Sequence, residues 1–393
     1  MKIALVNLVF ICRGDPLVSA GGTEIFAGEL AAELAKNKVV VNIIHGFEGS
    51  HDAARSKSKN VVFHSLRLTN IPYLRALDYR RKCAAYCVKL LGGSKVDAVV
   101  AFGAGTFPSY LFNEIREKSN SDALLVFYAI DSMKMEFERG KMSPEVKAWY
   151  ARFKRWLWYD ALIRSDKASC LRSDLIVASS MDTVSHLIDD YGVSSDKIKL
   201  LYLGIPPDYT SGFNALDPSM PTFLHIGGFP RKGTEYFLKA MQLLKDRYGL
   251  KAKAVIVRVS QSNMDQARQL GIEVEAYKRL SIPELKPKYA SCTAFVSPSL
   301  SEGFCLPVIA AEAFGKPCVV TNVGSLPELV TDGENGFIVP VADFTVLAEK
   351  LYQIAIDTKL RRKMGENARR RSTRFTLTQT ATNLLNLLEK HSV

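Results

Sequence analysis

The sequence predicts an α/β protein with two doubly wound parallel-sheet domains, and three observations support this prediction. Apolar runs alternate with helical segments through the first half of the chain, as expected for parallel strands that are buried on both faces. A stretch rich in proline and turn-forming residues, 204–221, then interrupts the pattern. The same alternation starts again after it, so we predict one domain over 1–205 and a second over 206–376.

Strands are predicted from short runs of β-branched and aromatic residues, and helices from apolar residues spaced three and four apart. In the first domain the predicted strands are 2–10, 39–44, 98–102, 124–128 and 175–178, and the predicted helices include 23–34 and 72–91. In the second domain the predicted strands include 222–226, 254–257, 293–296 and 318–320, and the predicted helices include 234–245, 283–290, 306–313, 343–356 and 360–372. A last predicted helix, 377–390, follows this domain. Such sheets bind ligands outside the carboxyl ends of their strands, so we expect a ligand in a cleft between the domains.

Composition narrows the class of protein. The chain has 393 residues, of which 47% are hydrophobic and 23% are charged. No apolar run approaches the roughly 20 residues that a membrane span needs, and the apolar start is interpreted as a buried strand rather than a signal peptide. The seven cysteines are scattered without a CxxC pair, which argues against a disulfide framework or a zinc site. We therefore expect a cytoplasmic protein.

A net charge of +12 indicates an anionic partner. Nucleic acid, an anionic membrane surface and a phosphorylated substrate are the three candidates. Ten lysines and arginines lie within 55–95, against a single acidic residue, Asp78. No nucleic-acid-binding motif accompanies them, so nucleic acid is not the expected partner.

The most informative stretch is 297–340, which is predicted to form strand, loop, helix, strand, turn and strand. Pro307 fits the first turn of the helix, so unpaired backbone N–H groups are expected around 304–306. That end of a helix suits an anion, above all a phosphate. Glu302 lies just before it, and a carboxylate is better suited to hydroxyl groups than to phosphates. Phosphate donors beside a hydroxyl-binding carboxylate indicate a sugar nucleotide.

Spaced residues in this stretch resemble the signature of glycosyltransferase family 4. The matching residues are Glu302, Gly303, Phe304, Cys305, Leu306 and Pro307, then Gly315 and Pro317, then Gly324, Pro327 and Glu328. Members of that family are retaining enzymes that use nucleotide sugars and have the GT-B fold, with two Rossmann-like domains facing each other across a cleft. The resemblance extends over nearly the whole chain. It implies that 302–306 bind the donor, that 1–205 is the acceptor side, and that a last helix, 377–393, packs back onto it.

One position departs from the family pattern. The family has a second glutamate eight residues after the first, where it binds the ribose, and this chain has Ala310 there. Glu312 lies two residues further on, roughly 200° round a helix from that position. We therefore expect this chain to bind the ribose differently.

A glycine pair, Gly21 and Gly22, follows the first predicted strand. Paired glycines allow a backbone to approach a phosphate closely, and a tight turn capped by Thr23 is the alternative interpretation. The resemblance implies that this loop faces the donor diphosphate.

A second loop, 227–233, joins a strand to a helix and carries Arg231 and Lys232. Two cations at this place suit a diphosphate, and an exposed basic turn is the alternative. The resemblance implies a glycine–arginine pair followed by lysine–glycine. Lys232 matches, whereas Gly228 stands at the arginine position and Arg231 is the candidate substitute. Arg258, where the family often has glycine, is a further candidate cation for donor binding.

The sequence contains no Asp-x-Asp pair. Enzymes that bind sugar nucleotides through Mg²⁺ or Mn²⁺ usually need paired carboxylates, so we expect a metal-independent transfer and no cofactor. Lys232, Arg231 and the helix start would then stabilise the leaving group. The candidate catalytic residues are Glu302, Lys232 and Asp131. Asp131, at a strand end, would bind acceptor hydroxyls or act as a base, and a helix cap is the alternative.

Cations alternate with all three tryptophans within 147–159. Such a segment can rest in a lipid headgroup layer or hold an acceptor sugar by stacking, and an interior helix with one solvated side is the alternative. Together with the cations of 55–95 it predicts a membrane or acceptor surface in the first domain. The candidate residues of that surface are Arg80, Arg81, Lys82, Arg152, Lys154, Arg155 and Trp156.

We therefore expect a retaining glycosyltransferase that moves a sugar from a nucleoside diphosphate sugar to a lipid-linked or polymeric glycan. The expected location is the cytoplasm, with peripheral association at the inner face of the membrane. A GT-B enzyme that makes a soluble disaccharide or epimerises a sugar nucleotide is one alternative. An inactive relative that binds membranes or nucleic acid is another, which the departures at 228 and 310 favour and the intact 302–307 stretch disfavours.

Overall fold

The computed structural model describes residues 7–12, 22–47, 59–69, 72–103, 106, 108–130, 134, 161, 163–213, 216–228 and 230–391. These residues divide into two compact units. The first unit contains the described residues up to Leu203 together with those from Leu377 onward, and the second contains those of Gly204–Thr376. Each unit is built around one parallel sheet.

The described part of the first unit has a seven-stranded sheet in the order β3-β2-β1-β4-β5-β6-β7. Its elements are β1 Asn7–Cys12, α1 Gly22–Lys36, β2 Val40–Phe47, β3 Val61–Arg67, α2 Pro72–Gly93, β4 Ala98–Phe102, α3 Pro108–Lys118, β5 Leu124–Ala129, α4 163–172, β6 Leu175–Ala178, α5 Met181–Asp189 and β7 Ile198–Leu200. The central strands are apolar throughout because helices cover both faces of the sheet. Every residue of β4, β5 and β6 is buried.

The described part of the second unit has a six-stranded sheet in the order β10-β9-β8-β11-β12-β13. Its elements are β8 Thr222–Ile226, α6 Thr234–Asp246, β9 Lys253–Val257, α7 Gln261–Gln269, β10 Val274–Tyr277, α8 Ile282–Ser291, β11 Ala294–Ser297, α9 Leu306–Ala313, β12 Cys318–Thr321, α10 Leu326–Leu329, β13 Gly336–Val339, α11 Phe344–Ile356 and α12 Thr358–Ser372. All of its strand pairs are parallel. The reversal of strand order beside β8 places the loops after β8 and β11 next to each other.

The last helix, α13 Leu377–His391, belongs to the first unit. Thr378 Oγ1 donates a hydrogen bond of 2.6 Å to Glu33 Oε1 on α1, and Thr380 Oγ1 donates one of 3.0 Å to the Tyr202 carbonyl. Leu384 and Leu388 are fully buried. The apolar face of α13 therefore completes the core of the first unit.

The predicted fold class, two doubly wound parallel sheets, is confirmed. Three strands, β3, β7 and β10, are not predicted from the sequence, and all three lie at sheet edges. Edge strands are partly solvated, so they carry polar residues and lack the continuous apolar run that marks an interior strand. In β3, for example, buried and exposed residues are interspersed over VVFHSLR.

All seven cysteines are buried free thiols, as the scattered spacing predicts. Burial raises the pKa of Cys305 to about 12, because desolvation penalises the thiolate. Among the described helices, none is both long and apolar enough to span a membrane.

Candidate functional site

Three loops meet at one end of the second sheet because β9, β8 and β11 are adjacent parallel strands. The carboxyl end of β8 leads into 227–233, that of β9 into 258–260, and that of β11 into 298–305. Lys232 of the first loop and Glu302 of the third are therefore in contact although they are 70 residues apart in sequence, and Arg258 of the second loop packs against Gly228 of the first. This is the end of a parallel sheet at which ligands bind.

Glu302 is a buried carboxylate, with 3% of the residue exposed. Lys232 Nζ donates to its Oε2, and Arg231 Nη1 lies 3.9 Å from its Oε1. Ser299 Oγ donates a further hydrogen bond of 3.3 Å to Oε2. Breaking a buried ion pair by removing one partner typically costs about 3–5 kcal/mol, because the remaining charge loses its partner. The pair therefore ties the loop after β8 to the loop after β11.

Backbone contacts reinforce this connection. The Leu300 amide donates to the Arg231 carbonyl at 2.7 Å, and Arg231 Nη1 donates to the Ser301 carbonyl at 3.1 Å. Thr321 Oγ1, at the end of β12, donates to the Ser299 carbonyl at 2.6 Å. The carboxylate of Glu302 is thus held by a loop that is itself fixed on both sides, which limits its freedom to reorient.

The start of α9 differs in one respect from the expectation. The Cys305 amide donates to Ser325 Oγ at 3.2 Å, so the expectation that this group is unpaired is corrected. Neither Ser325 nor Ser299 nor Thr321 was among the predicted site residues. Single hydroxyl residues carry no spacing signal, and only the fold reveals that they support the Glu302 loop.

Gly324 supports the same loop by its lack of a side chain. Its φ is +55°, and a Cβ at this position would lie 1.6 Å from the Glu302 carbonyl oxygen. No side chain fits between the two backbones. The glycine of the Gly324-x-x-Pro327 pattern is therefore required by the position of Glu302.

His225 lies beneath the loop after β8 and is 1% exposed. Its Nδ1 is 2.9 Å from the Val296 carbonyl, which can only accept, so Nδ1 carries the proton. Nε2 then accepts from Thr234 Oγ1 at 3.0 Å. Burial lowers the pKa of His225 to about 4, which keeps the ring neutral. This histidine positions the first turn of α6 and bears no charge toward the site.

Arg258 and Gly228 lie against each other across the ends of β8 and β9. Arg258 has φ +63°, a conformation that strongly favours glycine. Gly228 has φ +115°, and a Cβ built there would lie 3.3 Å from both Cβ and Cδ of Arg258. The arginine stem thus occupies the space that a side chain at 228 would need. Gly228 and Arg258 reverse the arginine and glycine that the family resemblance assigns to these positions.

Glu312, two residues beyond Ala310, is a fully buried carboxylate. Ala310 is buried, and Glu312 accepts a hydrogen bond from Asn335 Nδ2. Its other oxygen, Oε2, has no hydrogen-bond partner among the described residues. Desolvation raises the pKa of Glu312 to about 8, although the Arg371 charge and the Asn335 hydrogen bond oppose the shift. Glu312 therefore does not replace the missing family glutamate.

Several predicted site residues lie outside the described residues. They are Gly21, Asp131, Arg152, Lys154, Arg155 and Trp156. Gly22 is the first residue of α1 and is exposed.

The three cations predicted on α2 occupy different environments. The Arg80 guanidinium lies 4.4 Å from the centre of the Tyr110 ring, and Lys82 pairs with Asp78 at 2.9 Å. Arg81 is exposed. Successive helical positions point in directions about 100° apart, so the three do not form one binding face.

The described residues contain no group of three or more histidine, cysteine, aspartate or glutamate side chains that could hold a metal ion. The cations that pair with the Glu302 carboxylate in the described part of the chain are Lys232 and Arg231.

Solved structures similar to this chain have the GT-B fold of glycosyltransferases, which the two sheets described above also form. Sucrose-phosphate synthase from Thermosynechococcus elongatus aligns with a TM-score of 0.82 at 18% identity, over 98% of both chains. The Anabaena protein HepE in complex with UDP-glucose aligns with a TM-score of 0.70 at 16% identity, over 98% of this chain and 99% of that one.

Two family models match the sequence. The model described as glycosyltransferase family 4 matches residues 20–209, and the model described as glycosyl transferases group 1 matches residues 213–371. Together the two matches cover most of the chain, which therefore belongs to the group 1, family 4 glycosyltransferases. The MMP alpha-(1->4)-mannosyltransferase of Mycolicibacterium hassiacum is 27% identical over 219 residues, which are 55% of this chain and 53% of the relative. The chain spans about half the length of the curated relatives it matches.

We predict that Gly324→Ala destabilises the protein by clearly more than Gly333→Ala. Both glycines have positive φ, +55° and +76°, so both variants lose about 1–2 kcal/mol from backbone strain. Only the side chain at 324 would also meet the Glu302 carbonyl, since nothing lies within 4 Å of a Cβ at 333. Denaturant unfolding of the two variants and the wild type measures the difference. Equal losses would show that Gly324 does not support the Glu302 loop.

A second prediction concerns the buried carboxylate of Glu312. The folded state keeps a proton that the unfolded chain releases, so the free energy of unfolding of the wild type falls as pH rises from about 4.5 to about 8. Glu312→Gln retains a neutral side chain and should lose this dependence. At pH 9 it should be more stable than the wild type by on the order of 3 kcal/mol. Glu349→Gln, at an exposed position, is the control, and a pH profile of Glu312→Gln identical to that of the wild type would contradict the prediction.

Proposed function

We propose that this protein is a retaining, metal-independent glycosyltransferase that takes a sugar from a nucleoside diphosphate sugar and transfers it to an acceptor hydroxyl. The observation that carries the proposal is the buried Glu302 carboxylate, paired with Lys232 beside the start of α9. Both groups lie at the end of a parallel sheet where ligands bind. Membership of the glycosyltransferase family supports the same reaction class.

The ion pair gives each group a partner while no donor is bound. A donor would bring its diphosphate to Lys232 and its sugar hydroxyls to Glu302, so that neither buried charge is left without a partner. Lys232 and Arg231 would then stabilise the charge of the departing diphosphate. Glu302 would bind sugar hydroxyls and stabilise the transition state, and the diphosphate would leave from the face that the acceptor attacks.

Ser301 supports the placement of a polar ligand next to Glu302. It is 1% exposed, and its Oγ has no hydrogen-bond partner within the described part of the chain. A buried hydroxyl without a partner costs about 1–3 kcal/mol. A bound donor would supply groups that can satisfy it.

The acceptor would bind to the first unit. α2 exposes Leu74 and Leu77, at 50% and 38%, and Arg81 follows at the next helical spacing. This apolar face with a cation suits the surface of an anionic membrane. It supports a lipid-linked or polymeric glycan as the acceptor and peripheral association with the membrane.

We predict that the protein is stabilised by one series of nucleoside diphosphates and their sugars. The UDP series is the first choice, because the similar HepE structure contains UDP-glucose. At a ligand concentration of 100 times Kd, the gain is about 2.7 kcal/mol. Lys232→Gln should lose the response to the bare diphosphate, whereas Glu302→Gln should lose only the increment due to the sugar. Differential scanning fluorimetry with EDTA present measures each shift.

Lys251→Gln is the matched control for the loss of one cation from the same unit, since Lys251 is exposed and lies outside the three loops. A shift that appears only after Mg²⁺ or Mn²⁺ is added would contradict the metal-independent transfer. Absence of any shift in the wild type across the panel would favour an inactive relative. Normal diphosphate binding by Lys232→Gln would contradict the role assigned to Lys232.

A further prediction tests the exchange of Arg258 with Gly228. If the Arg258 guanidinium replaces the cation that the family has on the loop after β8, Arg258→Gly should weaken diphosphate binding about tenfold, or about 1.4 kcal/mol. Gly228→Arg alone should be destabilised, because the Arg258 stem occupies the space. The double variant Gly228→Arg with Arg258→Gly should recover affinity but only part of the stability, because the φ of +115° strains any side chain at 228. Additive losses in a double-mutant cycle would show that the two positions are independent.

A further inference from the structure

A basic groove lies at the opposite end of the second sheet from Glu302. It encloses about 920 Å³ and borders residues just before β8, β11 and β12 begin, including Asp217, Thr293 and Lys316. One wall is α12, whose residues from Arg361 to Arg370 contribute most of the charged lining. Because it borders the starts of the strands and not their carboxyl ends, the groove is separate from the candidate donor loops.

The charges of the groove are unbalanced. Five cationic side chains and two carboxylates line it. The cations are Lys316, Arg361, Arg362, Arg369 and Arg370, and the carboxylates are Asp217 and Glu366. Arg361 pairs with Asp217 at 3.3 Å and also donates to the Ile354 and Ala355 carbonyls. Asp217 is thus shared by Arg361, the cation that caps α11, and by Arg362 at 3.8 Å, which leaves Glu366 against Lys316, Arg369 and Arg370.

Lys316 is the buried member of the groove, with 5% of the residue exposed. Its Nζ donates to the Leu216 carbonyl at 2.7 Å, and no carboxylate of the described residues forms an ion pair with it. Desolvation lowers the pKa of Lys316; Cys292 and the Asp217 carboxylate oppose this shift, and the positive charges of Arg361 and Arg369 add to it. A buried ammonium that meets further cations is unfavourable without an anion, and two of its three hydrogens remain for one.

We propose that this groove binds the phosphate group of a ligand other than the sugar donor. Arginine guanidinium groups form paired hydrogen bonds to phosphate oxygens, and Lys316 would supply a point charge at the closed end of the groove. Arg369 and Arg370 are exposed at its mouth, and Arg370 Nη2 donates to Asn367 Oδ1 on the same helix, an exposed contact with which a phosphate would compete. A soluble phosphorylated molecule and the headgroup of an anionic lipid offer the same chemistry.

The test compares two double variants of α12 in the full-length protein. Arg369→Gln with Arg370→Gln removes two groove cations. Lys359→Gln with Lys363→Gln removes two exposed cations of the same helix that do not line the groove, so both variants lose the same charge. Isothermal titration with inorganic pyrophosphate measures binding, with the stabilising nucleoside diphosphate present at saturation so that the donor loops are occupied. We expect the groove variant to bind at least about tenfold more weakly at this site, and the control variant to bind like the wild type.

Equal weakening of pyrophosphate binding in both variants would mean that only net charge matters. Unchanged pyrophosphate binding in both would mean that the groove takes no phosphate. Either result overturns the proposal. A thermal shift with the nucleoside diphosphate that binds the donor loops should be the same in both variants, which separates this site from the donor site. Sedimentation with phosphatidylglycerol vesicles identifies the source. If the groove variant loses vesicle binding as well as pyrophosphate binding, and the control variant keeps both, the site takes a lipid headgroup. If the groove variant loses pyrophosphate binding but keeps vesicle binding, the site takes a soluble ligand.

Discussion

The buried ion pair between Lys232 and Glu302 holds the binding loops of the second unit in one arrangement. Two charges taken out of water are stable only together and only with further hydrogen bonds, and Ser299 and Arg231 supply these additional contacts. The loop after β8 and the loop after β11 are therefore fixed to each other before any ligand arrives. Under the proposed function, a donor would exchange the partners of both charges, with its diphosphate at Lys232 and its sugar hydroxyls at Glu302, while the loops that carry them keep their positions.

The parallel sheet makes this arrangement possible. Adjacent parallel strands end at the same edge, so a cation after β8 and a carboxylate after β11 meet without any closeness in sequence, and the arginine after β9 packs against Gly228 of the loop after β8. The close approach of Gly324 to the Glu302 carbonyl then fixes the position of the Glu302 backbone. The same geometry also explains why the opposite end of the sheet can carry a separate basic groove, since the loops there come from different segments of the chain.

The interior strands and the main site residues could be predicted from the sequence, because double-sided burial and the Glu302 to Pro307 pattern are both local signals. The edge strands β3, β7 and β10 could not, since solvent on one side removes the apolar run. The direct pairing of Glu302 with Lys232 and the support from Ser325 depend on long-range packing. The contact of Arg258 with Gly228 depends on two backbone conformations that no residue type specifies alone.

The measurement that tests the central claim most directly is a crystal structure of the full chain with the nucleotide sugar that stabilises it most. We predict that diphosphate oxygens lie within hydrogen-bond distance of Lys232 Nζ, and that sugar hydroxyls replace Lys232 as the partners of the Glu302 carboxylate. A donor bound elsewhere, with the Lys232–Glu302 pair intact and buried beneath it, would contradict the assignment and make the pair purely structural.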